Sequence, residues 1–504
     1  MRTSRNPVVS FSWYLVNPGR FVFFFLALLT LVTSCKKDNP EINPIDALVA
    51  NAGPDQPVQV GQTVTLDGGA SKDGQRKPLT YQWAITQKPA KSSVALTVPN
   101  TVRLTFVPDE VGEYELTLTV SNGEKANTDK VLVTASAAQP LTLNKDITVK
   151  TVLEDRIVNP NLPDYIVPKS IAVSHELTIN PGVVIAFERD VTFTITDRGF
   201  LIAKGTADQK IRFVGVNQSK GYWAGIMLNS ESNVNLMEHV EVLHAGSRIM
   251  LDNKKAGMVM FKGSQMAIKN SLFGQHDGYG LFASDEAVLR EFSANTFSGN
   301  TDAGILLSTE NVAKLDAASV FTSGNGRNVV EINGSYIGET GQKDEIVWGG
   351  FADKTPYRLL NDIAVRTGWK LSPGVTIESS RDVVIIINES AYLNAVGTAD
   401  QKIRFTGIGG TTAYWTGILC HSPSAKNQLE NAEISNGGSN SIIAGKKANL
   451  ALYGNQASIT VKRTRIAGSG GYGILVGFGG KLNEEATSTN AFANNAQDDV
   501  LIEE

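Results

Sequence analysis

The stretch Gly205-Thr206-Ala207-Asp208-Gln209-Lys210-Ile211-Arg212-Phe213 returns without a change as Gly397 to Phe405, 192 positions later. Nine identical residues at a fixed offset mark an internal duplication, and the register extends in both directions. Upstream, Pro181-Gly182-Val183 matches Pro373-Gly374-Val375, and Tyr165 matches Tyr357. Downstream, Tyr222-Trp223-Ala224-Gly225-Ile226 matches Tyr414-Trp415-Thr416-Gly417-Ile418, and Met237 to Val242 matches Leu429 to Ile434. A finer period of 24 lies inside the first copy: Phe273, Phe297 and Phe321 share one phase, and Leu281, Ile305 and Val329 another. Between these positions run short apolar strands divided by Gly, Asn and Asp, with no helical periodicity. A repeat of this length holding two or three strands fits one coil of a parallel β-helix, with inward side chains stacked in ladders. A propeller needs a longer blade repeat, of about 40–50 residues, which is not seen. At 24 residues a coil, the region from Leu141 to the C-terminus predicts roughly fifteen coils, rising ~4.8 Å each.

Several phrases carry a more specific likeness. Leu177 to Ile185, Gly199-Phe200-Leu201-Ile202-Ala203, the Gly205–Phe213 segment and Trp223-x-Gly225-Ile226 resemble secreted right-handed parallel β-helix proteins of Bacteroidetes. In that family such phrases carry coil geometry, not catalysis. The duplication itself divides the region into two tandem modules, over 141–335 and 336–504.

Ahead of the rod, residues 46–135 alternate apolar and polar positions in short runs: Val58-Gln59-Val60, Thr63 to Leu66, Leu79 to Trp83, Val102 to Phe106, Tyr114 to Val120 and Lys130 to Val133. This spacing predicts a seven-stranded immunoglobulin-like sandwich, held by packing since no cysteine lies in it. Asn51-Ala52-Gly53-Pro54-Asp55, Gly61 to Gly68, Leu79-Thr80-Tyr81-Gln82-Trp83 and Gly112-Glu113-Tyr114 resemble PKD-type domains. The resemblance implies an extracellular spacer or contact module, with Trp83 in the core. Asp67 and Asp73, beside glycines, read first as turn-forming residues satisfied by local backbone, with the oxygen chemistry of calcium ligands as the other reading. The whole chain is thus read as all-β: a PKD-type sandwich followed by a tandemly duplicated right-handed parallel β-helix.

The N-terminus reads as an address. Arg2, Arg5 and Arg20 precede the apolar run Phe21 to Val32, too short to span a bilayer comfortably, so residues 1–34 form a secretory signal. Val32-Thr33-Ser34-Cys35 resembles the bacterial lipoprotein signal, which implies cleavage before Cys35 and acylation of that residue. Several acyl chains anchor a protein stably where one does not. Residues 35–45 then form a polar tether. Its Lys36-Lys37-Asp38-Asn39-Pro40-Glu41 resembles segments that carry some lipoproteins to the outer face of the outer membrane. The expected location is the outer membrane, facing outward or into the periplasm.

Composition narrows the chemistry. The chain's formal charge of −4, with no basic cluster in its body, argues against nucleic acid. Two cysteines, Cys35 and Cys420, allow neither a disulfide framework nor a thiolate metal site. The β-helix fold also hosts pectate and alginate lyases and polygalacturonase-type hydrolases, but fold likeness alone does not assign activity. Asn300-Thr301-Asp302 resembles the first element of the polygalacturonase signature, yet Gly324-Asn325-Gly326 stands where an Asp-Asp pair is required. Glu238, His239, Glu241 and His244 form the densest titratable group. The second copy keeps Glu430 and Glu433 while replacing the histidines with Asn431 and Asn436, which favours a solvated outer strand face.

No catalytic or metal-binding set is therefore assigned. Candidate glycan contacts are Tyr222, Trp223, Glu241, His244, Tyr414 and Trp415, the aromatic residues being weighed against a role in closing the coil interior. Cys420 is expected in the core. The loops around 246–257, Asn440 and Lys446-Lys447 leave the coil and suit ligand contact. The reading that follows is a non-catalytic binding or adhesion scaffold, held to a membrane by lipid and contacting polysaccharide or a surface protein, without a cofactor. The alternative is a polysaccharide lyase or glycoside hydrolase on a β-helix.

Overall fold

The structure, a computed structural model, describes residues 47–157, 159–339 and 341–503. The signal, Cys35 and the 35–45 tether lie outside the described residues.

The sandwich forms where alternation was read. Gln56–Gln59, Ala126–Ser136, Gly112–Ser121 and Thr80–Gln87 make one four-stranded sheet, and Val64–Asp67 pairs antiparallel with Arg103–Phe106. Two short strands, Leu48–Val49 and Lys72–Asp73, pair at its edge, giving eight strands instead of seven. Every second residue of Tyr114 to Val120 is buried, because successive side chains of a strand point to opposite faces. Trp83 sits in this core and its Nε1 donates to the Thr101 carbonyl at 3.0 Å.

From Leu141 onward the chain winds through parallel strands. In the first copy the strands fall in turn on an eight-stranded sheet, on a thirteen-stranded sheet and on a six-stranded sheet. Inward positions form one hydrophobic core running from Ile147 to Val476. The expected ladder Phe273–Phe297–Phe321 is present, with ring centroids 5.5 and 5.1 Å apart. The second ladder needs a correction. Leu281 pairs with Ile305, but Ile305 pairs with Val330, because the register shifts between Ala303 and Ile305. Val329 is buried instead against the outside of the sheet, with Tyr279, Phe282 and Leu306.

The period of 24 is local. Tyr165 pairs with Ile185, only 20 positions on, whereas Ile226 pairs with Met258, 32 positions on. The longer coils carry loops, so the long sheet has thirteen strands, fewer than the fifteen coils expected, and a rise of ~60 Å follows.

The two copies share one wall. The thirteen-stranded sheet starts at Ile171–Val173, and Arg327–Ile332 of the first copy pairs directly with Tyr357–Leu359 of the second. At the joint the thirteen-stranded sheet and the core run on, whereas the eight-stranded and six-stranded sheets of the first copy end at Val320–Ser323 and Val288–Ser293, and a seven-stranded and a second six-stranded sheet begin at Tyr336–Ile337 and Ile346–Trp348. The second copy is also turned. Val184–Phe187 belongs to the eight-stranded sheet, but its duplicate Thr376–Ser379 belongs to the thirteen-stranded one. Likewise Thr192–Ile195 lies in the thirteen-stranded sheet and its duplicate Val384–Ile387 in a seven-stranded sheet. An offset of 192 residues advances the chain by whole coils plus one face. Phe351, Tyr357, Trp348 and Trp369 fill the core where the faces change, each ring within 5.2 Å of a neighbour.

A charge ladder lies on the outside of the same joint. Glu331, its side chain 3% exposed, receives Arg327 Nε at 2.6 Å and the Tyr279 hydroxyl at 2.7 Å. It pairs in register with Arg358, which pairs with Glu378 at 2.7 Å.

Candidate functional site

The repeated Gly205–Phe213 segment builds the wall of an open cleft. In the strand Ile211–Gly215, Ile211 and Phe213 point into the core, which turns Arg212 outward. On the next coil Val240 and Val242 point inward and Glu241 outward, directly in register with Arg212. Glu241 is thereby clamped: Lys210 Nζ reaches one carboxylate oxygen and Arg212 Nε the other, each at 3.0 Å. Arg212 also donates through Nη1 to the Pro160 carbonyl at 2.8 Å, which ties the cleft floor to the loop that carries Pro160 and Asn161. Asp155, Asn161, Asp208 and Gln209 complete the lining.

Asp164 organises that loop. Its buried carboxylate accepts the backbone N–H groups of Arg156 and Ile157 at 2.6 Å and of Val184 at 2.8 Å. Asp155 sits against Gly182, where a Cβ would lie 2.5 Å from its Oδ2. Burial, and secondly the negative charge of Asp164, push the Asp155 carboxyl above the ordinary carboxylate range. Asp155 and Asn161 escaped the sequence reading because the loop is not duplicated. Val347 stands at the offset position of Asp155, and Pro356 at that of Asp164. That departure from an otherwise kept register was the available signal.

The expected contacts divide. Trp223 and Trp415 are corrected: both are fully buried, and their Nε1 groups donate to the carbonyls of Leu243 at 2.7 Å and Ser435 at 2.8 Å. Trp223 stacks on Phe187 at 4.1 Å inside the coil, so neither indole offers a face to a sugar. Tyr222 donates to Glu188 at 3.0 Å and lies under the guanidinium of Arg189; Tyr414 lies likewise under Arg381. The two tyrosines do not form one site. Tyr222 leads into the thirteen-stranded sheet and Tyr414 into the seven-stranded one, so the turn between copies sends them to different edges.

His244 is also explained by the backbone. His239 and His244 have φ of 51° and 69°, and their duplicates Asn431 and Asn436 have 46° and 67°. Left-handed corners are rich in Asn, Asp and His, so the His-to-Asn exchange keeps a coil corner. His244 is buried, and burial, with Arg212 second, lowers its pKa. Only Glu241 of the six lies in the cleft. Asp302 is held by Arg327 at 2.9 Å, and Asn300 accepts the His276 N–H inside a corner ladder, so neither forms a hydrolase centre.

Asp67 accepts from the Gly69 N–H and Arg103, and Asp73 from the Lys77 N–H and Asn122. Among the described residues no group of three or more His, Cys, Asp and Glu is placed to hold a metal. Among them, too, no helix is long and apolar enough to cross a membrane. Cys420 is buried, and burial pushes its thiol up to about 11. The 246–257 loop turns back on the rod, with Met250 and Leu251 packed on the outside of the long sheet; its duplicate lays Ile442 and Ile443 on the seven-stranded sheet.

Comparison with protein families matches residues 52–135 to a family described as a PKD domain. Curated proteins returned no match. Among solved structures, one similar chain is described as a nucleoside hydrolase-related hypothetical protein from Saccharophagus degradans associated with carbohydrate metabolism. It is 20% identical over 18% of this chain and 25% of its own length, with a TM-score of 0.16. The chain thus spans about a quarter of that protein's length. The PKD domain of the KIAA 1837 protein is 32% identical over 18% of this chain and 89% of its own, with a TM-score of 0.15.

Proposed function

We propose that this protein is a lipid-anchored envelope protein in which a PKD-type sandwich carries a β-helix rod as a non-catalytic scaffold for binding polysaccharide. The observation that carries the reading is the family match over 52–135, a module suited to extracellular binding, joined to a rod built from coils. Anchorage rests on the lipoprotein-like residues before Cys35. The cleft supports binding over turnover because both carboxylate oxygens of Glu241 are already taken by Lys210 and Arg212. Its alternating charges and amides suit the hydroxyls of a sugar chain.

The enzyme reading keeps one specific observation. Asp155 has a raised pKa in the same cleft as Asp208 and Glu241, a pattern that favours a general acid. Affinity electrophoresis through gels cast with single polysaccharides tests the binding reading. The full chain is expected to be retarded by at least one of them, and Arg212→Ala to be retarded less. No retardation by any polysaccharide overturns it.

A further inference from the structure

The seven-stranded sheet of the second copy carries an outward column at one corner of the rod. One position beyond the inward residues Ile387, Cys420, Leu452 and Val476 stand Asn388, His421, Tyr453 and Gly477. The backbone N–H groups of His421, Tyr453, Gly477 and Glu503 donate in turn to the carbonyls of Ile387, Cys420, Leu452 and Val476 on the preceding coil. The column therefore climbs one residue per coil, ~4.8 Å at a time, close to the width of a pyranose ring.

Its side chains are of two kinds. Tyr453 is 41% exposed, and Phe478, next to the column, is 72% exposed, the highest value for a large apolar side chain among the described residues. Tyr453 stands edge-on to His421, with ring centroids 6.2 Å apart, and the His421 Nδ1 is fixed 2.6 Å from the Tyr453 carbonyl. Gly477 makes room for this arrangement: a Cβ there would lie 3.1 Å from the Tyr453 ring and 3.4 Å from the Glu503 carboxylate. Glu503 is held by Lys446 at 2.5 Å. At the lower end Asn388, Glu389 and Ser390 line a shallow hollow with His421. Aromatic rings in water beside hydrogen-bonding groups, on successive coils ~4.8 Å apart, suit stacking on pyranose C–H faces. The first copy has nothing comparable, since Asn229, Phe261 and Ser284 make the same backbone bonds as His421, Tyr453 and Gly477, Asp285 stands in place of Phe478, and Phe261 packs against the outer cluster of the long sheet.

We infer that the Tyr453–Phe478 corner is a stacking subsite for a neutral, flat-faced glycan lying along the rod axis. The exposed carboxylate of Glu389 at the lower end disfavours a polyuronate there. The inference rests on the reading of the rod as a glycan-binding scaffold and adds the place and the ligand class.

The test is calorimetric titration of the full chain with cellohexaose, with oligogalacturonate of equal length as the charged control. Wild type is expected to bind cellohexaose more tightly than the control, and the double variant Tyr453→Ala, Phe478→Ala to lose about tenfold or more. An unchanged melting temperature of the variant, whose replaced side chains are exposed, assigns that loss to contact. If cellohexaose binding is equal in wild type and variant, the subsite is refuted while the scaffold reading survives. Binding of oligogalacturonate alone refutes the assigned ligand class in the same way. If wild type binds neither, the subsite falls, and retardation by no other polysaccharide fells the scaffold reading with it.

Discussion

Replacing Glu331 by alanine removes the centre of the charge ladder where the two copies join. The carboxylate accepts Arg327 at 2.6 Å and the Tyr279 hydroxyl at 2.7 Å, and it faces Arg358 at 3.9 Å, while its own side chain is 3% exposed. Removing one partner of a buried pair leaves the other charge poorly solvated, at a cost of about 3–5 kcal/mol. Arg327 is 35% exposed and keeps Asp302 at 2.9 Å, and Arg358 keeps Glu378 at 2.7 Å. Water and these partners relieve part of the loss, so the lower end, ~3 kcal/mol, is expected. Urea denaturation followed by tryptophan fluorescence reads it, because Trp348 and Trp369 lie in the core at the joint. The double variant Glu331→Ala, Arg327→Met is expected to cost less than the sum of the singles, since each single leaves a group the other would have neutralised. A cost below ~1 kcal/mol for Glu331→Ala, with strict additivity, would refute the account of the joint.

Other expectations follow from the same geometry. Trp223→Ala or Trp415→Ala empties a fully buried site and should cost about 3–5 kcal/mol, whereas Tyr414→Ala should cost under ~1.5 kcal/mol by the same denaturation assay. His244→Asn should be nearly neutral in thermal melts because the second copy already uses Asn436 at that corner, while His244→Val should be clearly destabilising at φ 69°. His276 is fully buried, and burial lowers its pKa to about 3, whereas in the unfolded chain it titrates near 6.5. Between those values the unfolded chain holds the extra proton, so this residue makes stability fall as pH drops from about 6.5 toward 3, by up to ~1.4 kcal/mol per pH unit. Comparing that slope in wild type and His276→Asn checks it; an equal slope in both removes the assignment.

Much of the fold was legible because β-structure writes its pattern locally. Inward Val240 and Val242 flanking outward Glu241 could be read from alternation alone, and so could the Phe273 ladder. The turn of the second copy by one face could not. It depends on the summed length of coils that vary from 20 to 34 residues, and one loop residue more or less changes no local pattern. For the same reason Tyr222 and Tyr414, equivalent in sequence, part company in space. Val329 was misplaced by a single-residue register shift, which carries every following side chain to the other face. Trp223 and Trp415 had two chemically sound readings, and only three dimensions separate an indole closing a coil from one stacking on a sugar.

The central claim, binding without turnover, is met most directly by incubating the full chain with each polysaccharide that retards it and following unsaturated uronate and new reducing ends. Retention with neither product is the predicted result. Release of either product, abolished by Asp155→Asn, would contradict it and move the protein among the carbohydrate-active enzymes.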